Sequence, residues 1–251
     1  MLRVLSRRLY STATAEKWDL YAGVLVERLP VISKTLSPVE KEFQDQLWKI
    51  EYENSLKSDH EMQHEKDVRQ AQLLKKGEVE VDLDEISSQQ TAQDKKDAYI
   101  EEHKSFEFAP RITTDDKADN VKSTNRKLED ILYLIVEQKL GTDSHMLLPQ
   151  GKREDGESLR QTAERVLKTA CGDQLKPTFY GNAPVGFYKY KYPSKARKES
   201  VGAKVFFFRS SVQGSEGHEI KEGVKFEWQD KMGLEKKLSG GYSDSVQKFL
   251  F

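Results

Sequence analysis

The chain has 251 residues, 33% of them charged and 36% hydrophobic, with a formal net charge of −1. That length suits one domain carrying an insertion, and the polar composition leaves part of it outside any core. A single cysteine, Cys171, excludes an intrachain disulfide and a cysteine-built zinc site, and no apolar run reaches the roughly 18 residues of a membrane span.

The near-zero net charge hides two opposed regions. Glu40 to Glu102 holds 18 acidic and 9 basic residues. Lys176 to Arg209 holds 8 basic residues and one acid, Glu199. Such a molecule can meet an anionic partner on one side and a basic protein on another.

The first 15 residues, MLRVLSRRLYSTATA, carry Arg3, Arg7 and Arg8 and no acid. Arginine-rich, serine-bearing, acid-poor and amphipathic is the pattern of a mitochondrial transit peptide over residues 1–15. WDLYAGVLVERLP then predicts a core strand ended by Pro30. Ser37 and Pro38 predict a helix start, and Phe43, Leu47 and Ile50, with Trp48 beside them, form its apolar stripe. From Ser58 to about Lys104 periodicity fades into mixed charge, which reads as a flexible or partner-dependent part of an insertion spanning residues 33–104.

FEFAPRITTDDKADN predicts a short strand and a loop. DILYLIVEQKL and SHMLLPQG predict strands, and Ser158 to Cys171 a helix. Strands follow in the Lys176–Pro193 stretch, in GAKVFFFRSSV and in VKFEWQD, and short helices follow to the end, the last within 239–251. Mostly strands around one strong helix predict an α/β or α+β layered domain: a mixed sheet with flanking helices over residues 18–32 and 105–238.

GKREDGESLRQTAERVLKTACG, from Gly151, resembles the Nudix box. Gly151, Glu157, Arg165, Leu167 and Gly172 stand at the spacing of that box. Val166, Thr169 and Ala170 stand where its helix glutamates belong. Positions 166, 169 and 170 share one helix face. Carboxylates there would hold magnesium against a pyrophosphate, and these three residues offer none. The segment therefore reads as a structural remnant, Gly151, Glu157, Arg165 and Gly172, with no catalytic, cofactor-binding or metal site. Ser158 with Gln161 fits a capping box. The resemblance implies an ion pair between Glu157 and Arg165.

HEMQH, from His60, matches the zinc-protease pattern, but its surroundings are polar on nearly every side and no third ligand is placed. It reads as a chance match on a solvated helix. FYGNAPVGFYKYKYPSKARK interleaves aromatics with lysines. Strict alternation puts Tyr188, Tyr190 and Tyr192 on a core face and Lys189 and Lys191 in water. Lys195, Arg197 and Lys198 in the following loop are candidates for ribosomal RNA backbone contact.

WDLYAGVLVERLPVIS, LPQGKREDGESLRQTAERVL and FEWQDKMGL together resemble the mitochondrial large-subunit ribosomal protein forty-six family. The resemblance covers most of the chain beyond its first residues. It implies a Nudix-like fold without metal acids and a structural, non-enzymatic role without cofactor in the large mitoribosomal subunit. It places the protein at the central protuberance, among other ribosomal proteins, with limited ribosomal RNA contact and no membrane. The alternatives are a matrix Nudix-type nucleoside diphosphate hydrolase with a displaced metal site, and a non-catalytic nucleotide-binding module.

Overall fold

The computed structural model describes residues 16–77, 90–141, 143–194, 197, 199–214, 220–221 and 223–250. The expected transit peptide lies outside them. The chain divides into two compact units, residues 35–110 and the remainder.

The larger unit is built on β1 (Trp18–Arg28). Along its whole length β1 pairs in parallel with β7 (Gly202–Val212), from Trp18 opposite Gly202 to Arg28 opposite Val212. Its other edge is shared. β2 (Leu132–Leu140) pairs antiparallel at the Arg28 end, and β4 (Gln150–Lys152) pairs antiparallel near Tyr21. β3 (Asp143–Leu147) and β8 (Phe226–Gln229) extend β2, while β5 (Thr178–Phe179) and β6 (Gly186–Lys191) extend β7. The result is an eight-stranded mixed sheet.

Both sheet faces are covered around β1, so its apolar run is nearly continuous rather than alternating. On one face Ala22, Val24 and Val26 pack with Leu134 and with Ala163, Leu167 and Cys171 of α5 (Leu159–Cys171). On the other, Leu25, Tyr133 and Phe207 pack with Leu234 of α6 (Lys231–Lys237) and with Tyr242 and Val246 of α7 (Gly240–Gln247). Burial pushes the Cys171 thiol up to about 12, so this residue is packing, not chemistry.

The expected strand around Phe106 is absent. Phe106 and Phe108 are exposed and meet each other edge to face, at 5.0 Å between ring centroids. A short helix, α4 (Thr114–Lys117), follows instead, capped by Thr113 and Asp116. Pro110 cannot donate to a ladder, which fits the loss of the strand.

Among its described residues the smaller unit holds three helices: α1 (Pro38–Asn54), α2 (Asp59–Lys76) and α3 (Ala92–Ser105). Two of them lie where periodicity fades. Their N-termini carry reciprocal capping boxes, Ser58 with Glu61 and Thr91 with Asp94, a signal that needs no apolar stripe. α2 and α3 are joined where Asp67 accepts from the Ala92 amide at 2.8 Å and His60 Nε2 meets the Ala92 carbonyl at 3.1 Å. The α1 stripe of Phe43, Leu47 and Ile50 is exposed.

Candidate functional site

β4 leads into a loop and then α5, the arrangement expected of the box. Gly151 sits opposite Ala22 on β1. A Cβ at Gly151 would lie 2.5 Å from Val166 Cγ2, so helix and strand approach only because residue 151 has no side chain. Ser158 and Gln161 form the capping box, and the Gly172 amide donates to the Lys168 carbonyl at 2.9 Å with φ at 88°. That left-handed conformation favours glycine.

The loop is tied down by Glu157 and Arg165. Arg165 Nε and Nη2 donate to the two carboxylate oxygens at 2.7 and 2.9 Å, a bidentate fork. Thr162 Oγ1 adds a third donor at 2.9 Å. Arg165 also reaches the Lys152 carbonyl at 3.0 Å and pairs with Glu154 at 3.0 Å. The hydrogen bonds from Arg165 hold the Glu157 carboxyl down to about 2, from an ordinary 4.5. A depressed carboxylate stabilises the fold above its unfolded pKa and loses that effect as pH falls through its folded one. The stability gap between the protein and Glu157→Gln should therefore be full at neutral pH and shrink between pH about 4.5 and about 2. Urea unfolding of both proteins across that range checks this; a gap that stays constant counts against it.

The metal face contains no acid. Val166 is buried, Ala170 is half-buried, and exposed Thr169 spends its hydroxyl on the Arg165 carbonyl at 2.8 Å. Glu164 is exposed and engaged with Arg160 at 2.8 Å. Among the described residues, no group of three or more His, Cys, Asp or Glu side chains could hold a metal. In the zinc-protease match, His60 meets the Ala92 carbonyl and Glu61 closes the α2 cap, so these side chains serve the helix pair.

Of the candidate RNA contacts, Lys195 and Lys198 lie outside the described residues. Arg197 is exposed and donates to the Tyr192 carbonyl at 2.8 Å. The tyrosine reading needs one correction. Tyr188 packs against Tyr242, but Tyr190 is 45% exposed. β6 pairs with β7 on one edge, and its Tyr190 end extends beyond Tyr188, where it meets Tyr242 of α7.

Two anchors escape sequence reasoning because their partners are remote. Asp19 accepts from Lys152, Ser200 and Tyr192, each at 3.0 Å, tying β4 to the segments flanking β6 and β7. Burial pushes its carboxyl up, but these bonds outweigh it and hold it below the usual range. Arg28, fully buried, donates to the carbonyls of Leu29, Arg126 and Lys127 at 3.2, 2.5 and 2.9 Å.

The model of the family described as 39S mitochondrial ribosomal protein L46 matches residues 18–140. The chain is 36% identical to the large ribosomal subunit protein mL46 of Bos taurus, across 94% of this chain and 85% of that one. It is 35% identical to the Rattus norvegicus protein of the same name, across 99% of this chain and 89% of that one. An Ap4A hydrolase structure from C. elegans is similar at 16% identity and a TM-score of 0.38, covering 48% of this chain and 85% of that one. At that distance the likeness says nothing of activity. Identity of about one third to the two mammalian proteins extends over nearly the whole chain, and the chain belongs to the mL46 family of mitochondrial ribosomal proteins.

Proposed function

We propose that the chain is a structural constituent of the large subunit of the mitochondrial ribosome and supports translation in the matrix without catalysing a reaction. The observation that carries this is identity of about one third to proteins named for that subunit over nearly the whole chain. The box agrees, since its fork of Glu157 and Arg165 holds a loop while its metal face presents Val166, Thr169 and Ala170. The family resemblance implies a place at the central protuberance, chiefly among other ribosomal proteins, and the near-neutral charge suits protein neighbours with limited RNA contact better than burial in RNA. Residues 33–104 serve in this reading as the insertion that meets partners. No helix among the described residues is long and apolar enough to cross a membrane.

A sucrose gradient of mitochondrial lysate tests this. The chain should travel with large subunits, and recovery only in the light fractions would sink the reading. The enzyme alternative has its own measurement. Magnesium-dependent cleavage of nucleoside diphosphate derivatives should stay at background, whereas robust turnover lost in Glu157→Gln would make this a hydrolase. Residues 1–15 are taken as the import address. Mass spectrometry of the matrix protein should then find its start between about Leu9 and Trp18, and an intact Met1 would count against removal.

A further inference from the structure

The sheet face that α5 covers is covered only in part. Side chains alternate along strands, so Trp18 and Leu20 of β1, Lys204 and Phe206 of β7, and Phe187, Lys189 and Lys191 of β6 share that face. α5 packs over Ala22, Val24 and Val26, and α7 lies against the opposite face through Tyr188 and Tyr242. Among the described residues at the other end, Trp18 and Leu20 are half-buried and Lys189 and Lys191 exposed. On the outer strand β6, at the register of Ala22, Phe187 is 64% exposed, with Phe206 beside it at 6.5 Å between ring centroids. The Trp18 ring lies across Gly202, where a Cβ would come within 2.7 Å of it. Lys189 and Lys204 place their ammonium groups 4.7 and 5.4 Å from the ring centroid. Every charged side chain of these three strands at this end of the face is a lysine, and none of the three lysines forms an ion pair with a described residue. The acids that line the cleft with Trp18 are Asp19, Glu154, Asp155 and Glu199, of which Asp19 is paired with Lys152, Glu154 with Arg165 and Glu199 with Lys17.

Aromatic rings on a sheet face, flanked by cations of one sign that pair with no described acid, match the chemistry of a single-stranded nucleic acid: bases stack on rings and lysines meet phosphates. We propose that this half-sheet is a stacking surface for single-stranded RNA, with bases on Phe187 and Trp18 and the backbone along Lys189, Lys191 and Lys204. Taking ribosomal RNA as the occupant rests on the function proposed above; the stacking surface does not.

The test uses the full chain and a labelled, mixed-sequence single-stranded RNA of about ten nucleotides. Binding should weaken ~5-fold or more in Phe187→Ala. The salt dependence should flatten by about 0.7 in log–log slope for each of Lys189→Gln and Lys204→Gln. In a Trp48→Phe background, RNA should quench Trp18 emission, since Trp228 is fully buried. Unchanged binding, slope and emission would overturn the proposal. Thermal melting checks that the variants fold, and the lysine pair keeps the test alive if Phe187→Ala does not. If Phe187→Ala leaves RNA binding intact but drops off large subunits, the face docks a protein and the proposal falls while the ribosomal reading stands. If the unaltered chain binds RNA through these residues yet does not sediment with subunits, the ribosomal reading falls and the surface remains.

Discussion

Replacing Arg28 with alanine should lower stability by about 3–5 kcal/mol, a drop in Tm on the order of 10 °C for a chain of this size. The side chain lies wholly inside the protein and donates to three carbonyls, of Leu29, Arg126 and Lys127. Burial pulls its pKa down to about 10, so it stays charged at neutral pH and holds those carbonyls as a cation. Truncation leaves buried acceptors without a donor and opens a cavity, and both effects act in one direction. The turn they hold also anchors the chain after β1, where the Val31 amide donates to the Leu128 carbonyl at 2.8 Å. Arg28→Lys keeps charge and stem but not the fork, and should fall between the two. Chemical denaturation of the three proteins checks the order; a loss below about 1 kcal/mol in Arg28→Ala would mean water replaces the guanidinium.

Putting acids back on the helix should separate two neighbouring positions. Val166→Glu should cost about 3 kcal/mol or more, because a carboxylate there is buried against Gly151. Thr169→Glu, on the exposed side, should stay within about 0.5 kcal/mol. Neither should confer magnesium-dependent turnover. The contrast is read from urea midpoints measured side by side. Equal, small losses would mean that residue 166 reaches solvent and that the metal face is open.

How much of this was legible depended on the distance between cause and effect. β1, β2 and α5 announce themselves through apolar runs and periodicity, and the Glu157–Arg165 fork follows from the box resemblance. α2 and α3 hide because their cohesion comes from caps and side-chain hydrogen bonds, with Ala92 the single buried residue in either helix. The strand expected at Phe106 fails because apolar alternation cannot supply a pairing partner. Tyr190 alternates correctly with Tyr188, but the strand outruns the helix that covers its neighbour. Arg28 and Asp19 could not be assigned from pattern, since a strand-end arginine or aspartate looks alike whether it meets water or a carbonyl a hundred residues away.

The parallel pairing of β1 with β7 sets the order in which this protein can complete itself. The central strand is made well before its full-length partner: Glu27 meets Arg209 across 182 residues of sequence. Until then an apolar strand waits with one edge open. Such long-range closure is slow and exposes nascent chains to aggregation. The helical unit lies within that wait. Because loop-closure entropy rises only slowly with length, a whole helical unit adds little to the cost of bringing the two strands together. The chain can therefore carry a large helical appendage between the first strand and the rest of its sheet, but it cannot finish its core until β7 has been made.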